Sequence, residues 1–212
     1  THEVLSGLPS VKSFRLGQLG EGDASFVGSQ CLAVRARPCI KAVVTSPELD
    51  HVAGDVTEAY PRDLGLKRFV RHLLWLKPNV LLVLDEVLCD RQRNLELRFH
   101  PESDVGETYG GGYLMYGDRS TLRIEPLTPE QVLIDMHDPA VEGRDSAEAG
   151  LFALRFRTRR KHWRNATAIS WARIGLQPAA VQLAEAGDLW TFSLPEKTIL
   201  FDWTTGKAAI KP

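Results

Sequence analysis

The chain has few of the features that mark several large classes of protein. It has only three cysteines, Cys31, Cys39 and Cys89, which are too few for a disulfide framework and lack the C-x-x-C spacing of common metal sites. No apolar run approaches the roughly 18 residues that a membrane span requires. The first residues do not show the basic and then apolar pattern of a signal peptide. We therefore expect no membrane span, and we expect the cysteines to be free, buried thiols that act as small hydrophobic side chains.

An excess of positive charge is also lacking. The 26 Lys and Arg residues are balanced by 27 Asp and Glu residues, which gives a formal net charge of −1. Nucleic-acid-binding domains usually carry a broad basic surface, so we expect no nucleic-acid partner. The hydrophobic fraction of 43% is ordinary for a globular protein. A chain of 212 residues is long enough to bury a substantial core without disulfides or metals.

Helical patterns are scarce, and short strand-like segments follow one another along the chain. Leu95–His100 alternates apolar and polar residues, as a strand with one solvent-exposed face does. We expect this strand to pair with Tyr113–Met115. Turn signals recur about every eight to twelve residues, a spacing typical of sandwiches and barrels. The sequence therefore predicts an all-β fold, a large antiparallel β-sandwich with very little helix, formed by residues 1–212 as a single domain.

The most informative stretch is Leu49–Cys89, which predicts three strands. Phe69 to Leu76 has the aromatic, branched and aliphatic character of a buried strand. Lys77-Pro78-Asn79 then breaks the run, because proline fixes its own φ and restricts the residue before it. Val80 to Val87 resumes as a second apolar strand, and the two form an antiparallel hairpin. The unusual feature is a set of cationic or titratable residues inside the first apolar run: Lys67, Arg68, Arg71 and His72.

A series of motifs in this stretch matches a family pattern. Gly54-Asp55-Val56-Thr57-Glu58-Ala59-Tyr60 is followed by a strand from Arg68 to His72 and then by the apolar strand Leu81 to Val87 around Asp85. This order resembles the C-terminal β-domain of the heparinase II/III-like polysaccharide lyases. In that family a G-D-x-T-x-A-Y strand precedes an R-x-V/L strand and an apolar strand that ends in Asp. Outside Leu49–Cys89 the resemblance rests only on strand spacing and character.

The resemblance implies a function. Members of the family cleave acidic, uronate-containing polysaccharides by β-elimination, which needs a neutralised carboxylate, a base and an acid. A Tyr and a His on an N-terminal α/α-toroid transfer the protons. Because the chain begins at Thr1 and not at Met, we expect it to be the C-terminal part of a longer chain that lacks this toroid, and to be inactive alone.

The same resemblance implies the partners and the location. The expected partners are acidic polysaccharide and the chain's own N-terminal helical domain, in the periplasm or outside the cell. The alternative is a non-catalytic carbohydrate-binding or structural β-sandwich, so that the chain need not be part of an enzyme.

No catalytic residue, metal site or cofactor is expected within the chain. In the family a further His, and in some members a zinc site, lies early in the β-domain in an H-x-H or H-x-D strand that is missing here. A zinc site would need residues before Thr1, and His2 is offset from the family position. His51 and Asp55 are four residues apart, about 13 Å along a strand, which is too far to share a metal ion. His72 is expected to be a core histidine with a satisfied hydrogen bond.

The candidate substrate-binding residues are Tyr60, Arg68, Arg71 and His100. A guanidinium group matches carboxylate and sulfate in a bidentate way, and Tyr60 offers an aromatic face to a sugar. His100 ends a strand at a rim position that also suits polysaccharide contact. These side chains are predicted to line one wall of a substrate cleft.

A structural alternative exists for the two arginines. An arginine in this strand can instead pair with Asp55 or Asp85 across the sheet and fix the strand register. We expect this buried, structural role for Arg68, because Val70 and its other neighbours on the same strand face look buried. We expect Arg71 to face solvent.

A second basic stretch lies near residue 160. Arg155, Arg157 and Arg159 alternate and so share one strand face, which would suit an anionic polymer. An edge strand protected by charge against aggregation explains the pattern equally well. Asn165-Ala166-Thr167 is a formal glycosylation sequon, and a motif this short also arises by chance.

Overall fold

The structure, a computed structural model, consists almost entirely of β-strands. It describes residues 26–27, 30–31, 38–60, 64–99, 105–107, 112–128, 133–137 and 153–211. A short 3-10 helix spans Thr57–Ala59, and no helix in these ranges is long and apolar enough to cross a membrane. The strands are β1 (Phe26–Val27), β2 (Gln30–Cys31), β3 (Cys39–Thr45), β4 (Leu49–Asp55), β5 (Leu66–Leu76), β6 (Val80–Phe99), β7 (Val105–Glu107), β8 (Tyr113–Tyr116), β9 (Ser120–Pro126), β10 (Leu133–His137), β11 (Ala153–Arg173), β12 (Gln182–Ala186), β13 (Leu189–Ser193), β14 (Thr198–Asp202) and β15 (Lys207–Lys211).

Within the described residues these strands form two principal sheets and one separate pair. The large sheet has the order β3-β4-β5-β6-β11-β9-β8-β7, and β10 also pairs with β11. The small sheet has the order β12-β13-β14-β15, and β1 pairs with β2 alone. Neighbouring strands run antiparallel throughout. The predicted all-β, antiparallel sandwich is confirmed.

The predicted hairpin is present and lies at the middle of the large sheet. β5 pairs with β6 in a register that sets Leu76 opposite Val80 and Arg71 opposite Asp85, and residues 77–79 form the turn. β6 does not end at Val87, as the sequence predicted, but continues for 20 residues to Phe99. Its partner β11 is 21 residues long, so the two central strands hydrogen-bond to each other over most of their length.

The core of the sandwich lies between the two sheets. Leu74 and Leu82 project from the large sheet, and Phe192 and Phe201 project from the small sheet to meet them. All four are fully buried, and burial of each such side chain contributes about 1.5–3 kcal/mol relative to exposure. The alternation of buried and exposed residues in β5 follows directly from the two-residue period of a strand.

A second core covers part of the other face of the large sheet. Val87 is three residues from Leu84 on β6 and so points to the opposite side. It packs with Trp163, Leu97 and Phe156 in a separate buried cluster. The large sheet therefore has apolar side chains packed on both faces.

The predicted pairing of Leu95–His100 with Tyr113–Met115 is wrong, and so is the edge-strand explanation of the basic stretch. The end of β6 pairs with β11, which sets Leu97 opposite Phe156, and Tyr113–Tyr116 pairs instead with β7 and β9. The basic strand near residue 160 is not an edge strand, because β11 has β6 on one side and β9 and β10 on the other. Arg157 on this strand forms an ion pair with Glu96 of β6, so this charge has a partner inside the sheet.

The cysteines differ in their surroundings. Cys89 is a free, buried thiol as predicted, and burial raises its pKa. Cys39 is free but exposed, because it lies on β3, at the end of the described sheet order. The prediction of a buried thiol is therefore wrong for Cys39.

Candidate functional site

The G-D-x-T-x-A-Y segment is fixed against β5 by hydrogen bonds. The Asp55 carboxylate accepts a bond from the backbone N–H of Thr57 at 3.0 Å. The Thr57 hydroxyl in turn accepts a bond from the backbone N–H of Phe69 at 2.8 Å, and the N–H of Val56 donates to the Phe69 carbonyl at 2.9 Å. The motif thus holds the short helix and the following Tyr60 beside the middle of β5.

Tyr60, Phe69, Arg71 and Asp85 form a cluster on the face of the large sheet that carries the second core. The rings of Tyr60 and Phe69 lie 5.7 Å apart. The guanidinium carbon of Arg71 lies 5.5 Å from the centre of the Phe69 ring. The structure therefore brings together two of the predicted site residues, Tyr60 and Arg71, and adds Phe69, which the sequence predicted only as part of a buried strand.

Arg71 is held by a bidentate ion pair with Asp85. Its Nε lies 2.6 Å from one carboxylate oxygen and its Nη2 lies 2.8 Å from the other. The Asp85 side chain is 2% exposed, whereas that of Arg71 is 36% exposed. Burial opposes the charge on Arg71, but the bonds to Asp85 outweigh that effect and raise its pKa, so the group stays cationic.

Arg68 lies on the opposite side of the sheet from Arg71. Its Nε is 2.6 Å from a carboxylate oxygen of Glu86, and Glu86 follows Asp85 in β6, so the two carboxylates point to opposite faces. The Arg68 side chain is 54% exposed. The expectation of a buried Arg68 paired with Asp55 or Asp85 is wrong, and Arg71 has the buried carboxylate partner instead. Arg68 does share a strand face with Val70, as expected, but it is not buried there.

Glu86 and Arg164 are part of a series of ion pairs that reaches from the large sheet to the small sheet. It accepts bonds from both Arg68 and Arg164, and Arg164 also pairs with Asp188 before β13. The Arg164 guanidinium lies 5.1 Å from the centre of the Trp203 ring. Burial acts to raise the pKa of Glu86, but hydrogen bonds from the two arginines lower it overall. Glu86 thus retains a cationic partner when either arginine is removed.

We expect Arg68→Ala to lower the free energy of unfolding by less than about 1 kcal/mol, the range of an exposed ion pair. Arg68 is largely exposed and Glu86 keeps its bond to Arg164. Urea denaturation of the variant and the parent measures the difference. A loss of several kcal/mol would show that Arg68 has a structural role that these contacts do not explain.

His51 and His72 form a buried pair between the sheets. His51 Nε2 lies 3.0 Å from His72 Nδ1, and the residues are 4% and 6% exposed. Phe201 packs against the His72 ring with centroids 4.9 Å apart. Gly206 has φ +64, and a Cβ there would lie 3.2 Å from His72 Cε1, so a glycine leaves room for the imidazole. The predicted core histidine with a satisfied hydrogen bond is confirmed.

The surroundings keep both rings neutral. Burial and the neighbouring His51 lower the pKa of His72 to about 4, and burial lowers the pKa of His51. One ring must donate and the other accept in the bond between them. Neither ring is placed to exchange protons with a bound substrate.

The structure describes the predicted glycosylation sequon but not the last candidate substrate-binding residue. His100 lies outside the described residues. Asn165 of the sequon is fully buried and accepts a bond from the Thr128 hydroxyl at 2.9 Å, so the folded chain cannot present it to a glycosyltransferase. Among the residues that the structure describes, no three His, Cys, Asp or Glu side chains are grouped as metal ligands would be.

A polar pocket lies beside Arg68. Its volume is about 450 Å³, within the usual range for small-molecule sites. The lining combines three cationic side chains with two carboxylates, and Asp55 forms an ion pair with Lys41 at 3.7 Å. The residues that line it are Cys39, Lys41, Asp55, Thr57, Glu58, Lys67 and Arg68.

Comparisons with known proteins identify the fold. No protein-family profile matches the chain, and no curated protein sequence matches it significantly. Among solved structures, the heparan sulfate lyase HepC from Pedobacter heparinus is similar with a TM-score of 0.61 at 15% identity, over 83% of this chain and 28% of that one. A heparinase III is similar with a TM-score of 0.53 at 10% identity, over 88% of this chain and 28% of that one.

These similarities concern the fold of part of larger proteins. The chain spans little more than a quarter of the length of the structures that it matches. The fold likeness agrees with the resemblance seen in the motifs between Leu49 and Cys89. The chain therefore has the β-sheet fold found in heparan sulfate lyase HepC and in heparinase III.

Proposed function

We propose that the chain is the β-sheet domain of a polysaccharide lyase that cleaves acidic, uronate-containing polysaccharide by β-elimination. In this proposal the sheet forms one wall of the substrate cleft, and the acid and the base lie on a helical domain of the same protein. The observation that supports it best is the Tyr60, Phe69 and Arg71 cluster, on a fold shared with heparan sulfate lyases.

The geometry of Arg71 suits recognition of an anion. Asp85 takes two of the five N–H donors of the guanidinium, and the Arg71 side chain remains partly exposed. Because Asp85 and Phe69 already fix its orientation, little conformational entropy is lost when a carboxylate or sulfate binds.

In β-elimination, neutralising the uronate carboxylate stabilises the charge that develops as the C5 proton leaves. A guanidinium that stays protonated can supply this charge, but it cannot accept the proton. The buried histidine pair does not reach the surface. The proposal therefore gives Arg71 a role in binding and positioning, and assigns both proton transfers to residues outside the described part of the chain.

Binding is tested by retention on immobilised heparan sulfate in a salt gradient. We expect Arg71→Lys to elute at lower salt than the parent, because lysine keeps a charge beside Asp85 but loses the planar fork of donors. It should remain folded, because lysine keeps a cationic partner for Asp85, and its melting temperature should lie above that of Arg71→Ala. Retention of the parent no stronger than on a neutral polysaccharide column would contradict the proposal.

Arg68→Ala is the matched control, because Arg68 lies on the same strand but on the other face. We expect it to change retention less than Arg71→Lys does. The opposite order would place the anion site in the pocket formed by Lys41, Lys67 and Arg68.

The second candidate function is carbohydrate binding without catalysis. The burial of both His51 and His72 favours it, since neither can act as an acid or a base on a bound sugar. The ultraviolet absorbance of unsaturated uronate separates chemistry from binding during incubation with heparan sulfate, hyaluronan or alginate. We expect no sustained rise from this chain alone, and a sustained rise would show that it carries its own acid and base.

The coding sequence upstream of Thr1 separates the two candidates further. A long segment of helical hairpins there, ending in an H-x-H or H-x-D strand, would support the lyase. A start codon close to Thr1 would support a self-sufficient binding domain.

A further inference from the structure

The face of the sheet that carries Arg71 continues into an exposed apolar groove. The groove has a volume of about 420 Å³. Leu73 is 37% exposed and Trp75 is 40% exposed, and a contiguous exposed apolar patch is more informative than a single exposed residue. The residues that line it are Asp50, Val52, Leu73, Trp75, Leu81 and Trp171.

Strand geometry relates the groove to Arg71. Arg71, Leu73 and Trp75 alternate along β5 and so share one face, and Trp75 lies about 13 Å from Arg71 along the strand. The register sets Trp75 between Asp50 of β4 and Leu81 of β6. Trp171 follows at the end of β11, where its backbone N–H donates to the Asn79 carbonyl at 3.1 Å.

The Trp75 ring has a polar neighbour at its edge and is held in place. The Trp75 indole N–H donates to the Pro78 carbonyl at 3.3 Å. The Lys77 ammonium lies 5.5 Å from the centre of the ring, pairs with Asp50 at 2.8 Å and donates to the Ser46 carbonyl at 2.7 Å. A fixed aromatic face in the groove thus lies next to the Asp50–Lys77 ion pair.

We propose that this groove is a second saccharide subsite, in which a sugar ring packs on Trp75 and its hydroxyls bond to Asp50 and Lys77. The inference rests on the proposed function and extends it: an acidic polysaccharide held at Arg71 runs along β5 and places a neighbouring sugar on Trp75. A pyranose ring has an apolar C–H face and a polar edge. A fixed aromatic ring supplies a large apolar contact at low entropic cost, and a few convergent polar groups set the orientation.

The charged pair favours a sugar over a protein partner in this groove. A protein surface that covered Trp75 would also remove Asp50 and Lys77 from water, and such desolvation is costly unless both charges gain new bonds. Hydroxyl groups both donate and accept, so a sugar satisfies the carboxylate and the ammonium together.

The test is calorimetric titration of the chain with heparan sulfate oligosaccharides of increasing length. We expect Trp75→Ala to weaken the binding of long oligosaccharides by roughly tenfold, from the loss of one aromatic contact. It should leave the affinity for a disaccharide that reaches only the Arg71 cluster unchanged. Trp75→Phe keeps an aromatic face and should stay within about threefold of the parent.

Tyr116→Ala is the matched control. Tyr116 is 60% exposed. Met115 is opposite Leu122 of β9, and Leu122 is opposite Trp171 of β11, so these three residues lie on the face of the groove. Tyr116 directly follows Met115 and therefore points to the other face. We expect the affinity of this variant for every oligosaccharide to match that of the parent.

The outcomes separate this inference from the proposed function. If Arg71→Lys weakens binding while Trp75→Ala binds all lengths as the parent does, the subsite is refuted and the proposed function stands. If the parent binds no oligosaccharide, both fail. If Trp75→Ala instead converts a dimeric parent to a monomer in sedimentation without affecting oligosaccharide binding, the groove is a protein contact and the subsite is refuted.

Discussion

Arg71→Ala is expected to lower the free energy of unfolding by about 3 kcal/mol, the lower end of the range for breaking a buried ion pair. The substitution leaves Asp85, whose side chain is 2% exposed, without its bidentate partner. The loss should not reach the upper end of that range, because Arg71 is itself partly exposed and water can enter the space that it leaves. For a domain of this size the melting temperature should fall by roughly 6–12 °C.

Two variants isolate the cause of that loss. Arg71→Lys keeps a charge next to Asp85 and should recover much of the stability. Arg71→Ala combined with Asp85→Asn removes the unpaired charge and should be more stable than Arg71→Ala alone. A fall in melting temperature of less than about 2 °C for Arg71→Ala would be typical of the loss of an exposed ion pair. It would show that the buried Asp85 carboxylate does not require Arg71 as its partner.

Stability is also expected to decrease as the pH falls from about 6.5 to 4, because the unfolded chain can protonate His72 and the folded chain cannot. Protonation of the folded state requires a pH near 4, where the pKa of buried His72 lies, whereas an unfolded histidine titrates near 6.5. Between these values the unfolded state binds more protons, so unfolding is favoured. The contribution of His72 is fully present above pH 6.5, and roughly 3 kcal/mol is lost by pH 4.

The measurement is chemical denaturation of the parent and of His72→Gln between pH 7.5 and 5. Glutamine retains a polar group that can bond to His51 but does not titrate. Asp55 and Glu86 have pKa values that are lowered in the folded state, so their contributions fall mainly below this window. Burial also lowers the pKa of His51, and the variant retains this histidine, so the comparison isolates the contribution of His72. The slope of stability against pH should be clearly smaller for His72→Gln, and equal slopes would show that His72 does not remain neutral in the folded chain.

The sequence predicted the fold well where local signals and the burial pattern agree. The break at Lys77-Pro78-Asn79 and the apolar runs on both sides of it predicted the β5–β6 hairpin, and the structure has its turn there. The same alternation predicted that Val70 and His72 are buried, and both are. The motif around Asp55 and Thr57 was recognised as a pattern, and the structure shows that its polar side chains anchor the segment to Phe69.

The sequence was less informative where a contact depends on register between distant strands. The expected roles of the two arginines are reversed because the buried carboxylate of Asp85 lies opposite Arg71, and strand alternation alone does not show which arginine faces it. The sequence predicted a separate strand at Leu95–His100, but pairing with β11 carries β6 without a break through the polar residues that precede Leu95. The His51–His72 pair could be found only by aligning β4 with β5, which sets Ala53 opposite His72 and leaves the two histidines diagonal to each other.

The most direct test of the account is a crystal structure of the chain with a heparan sulfate tetrasaccharide. We expect the oligosaccharide to lie on the face of the large sheet that carries Tyr60 and Arg71. A carboxylate or sulfate should bond to the Arg71 guanidinium, and the oligosaccharide should run along β5 toward Trp75. An oligosaccharide bound instead in the pocket beside Lys41 and Arg68, or on the small sheet, would contradict it.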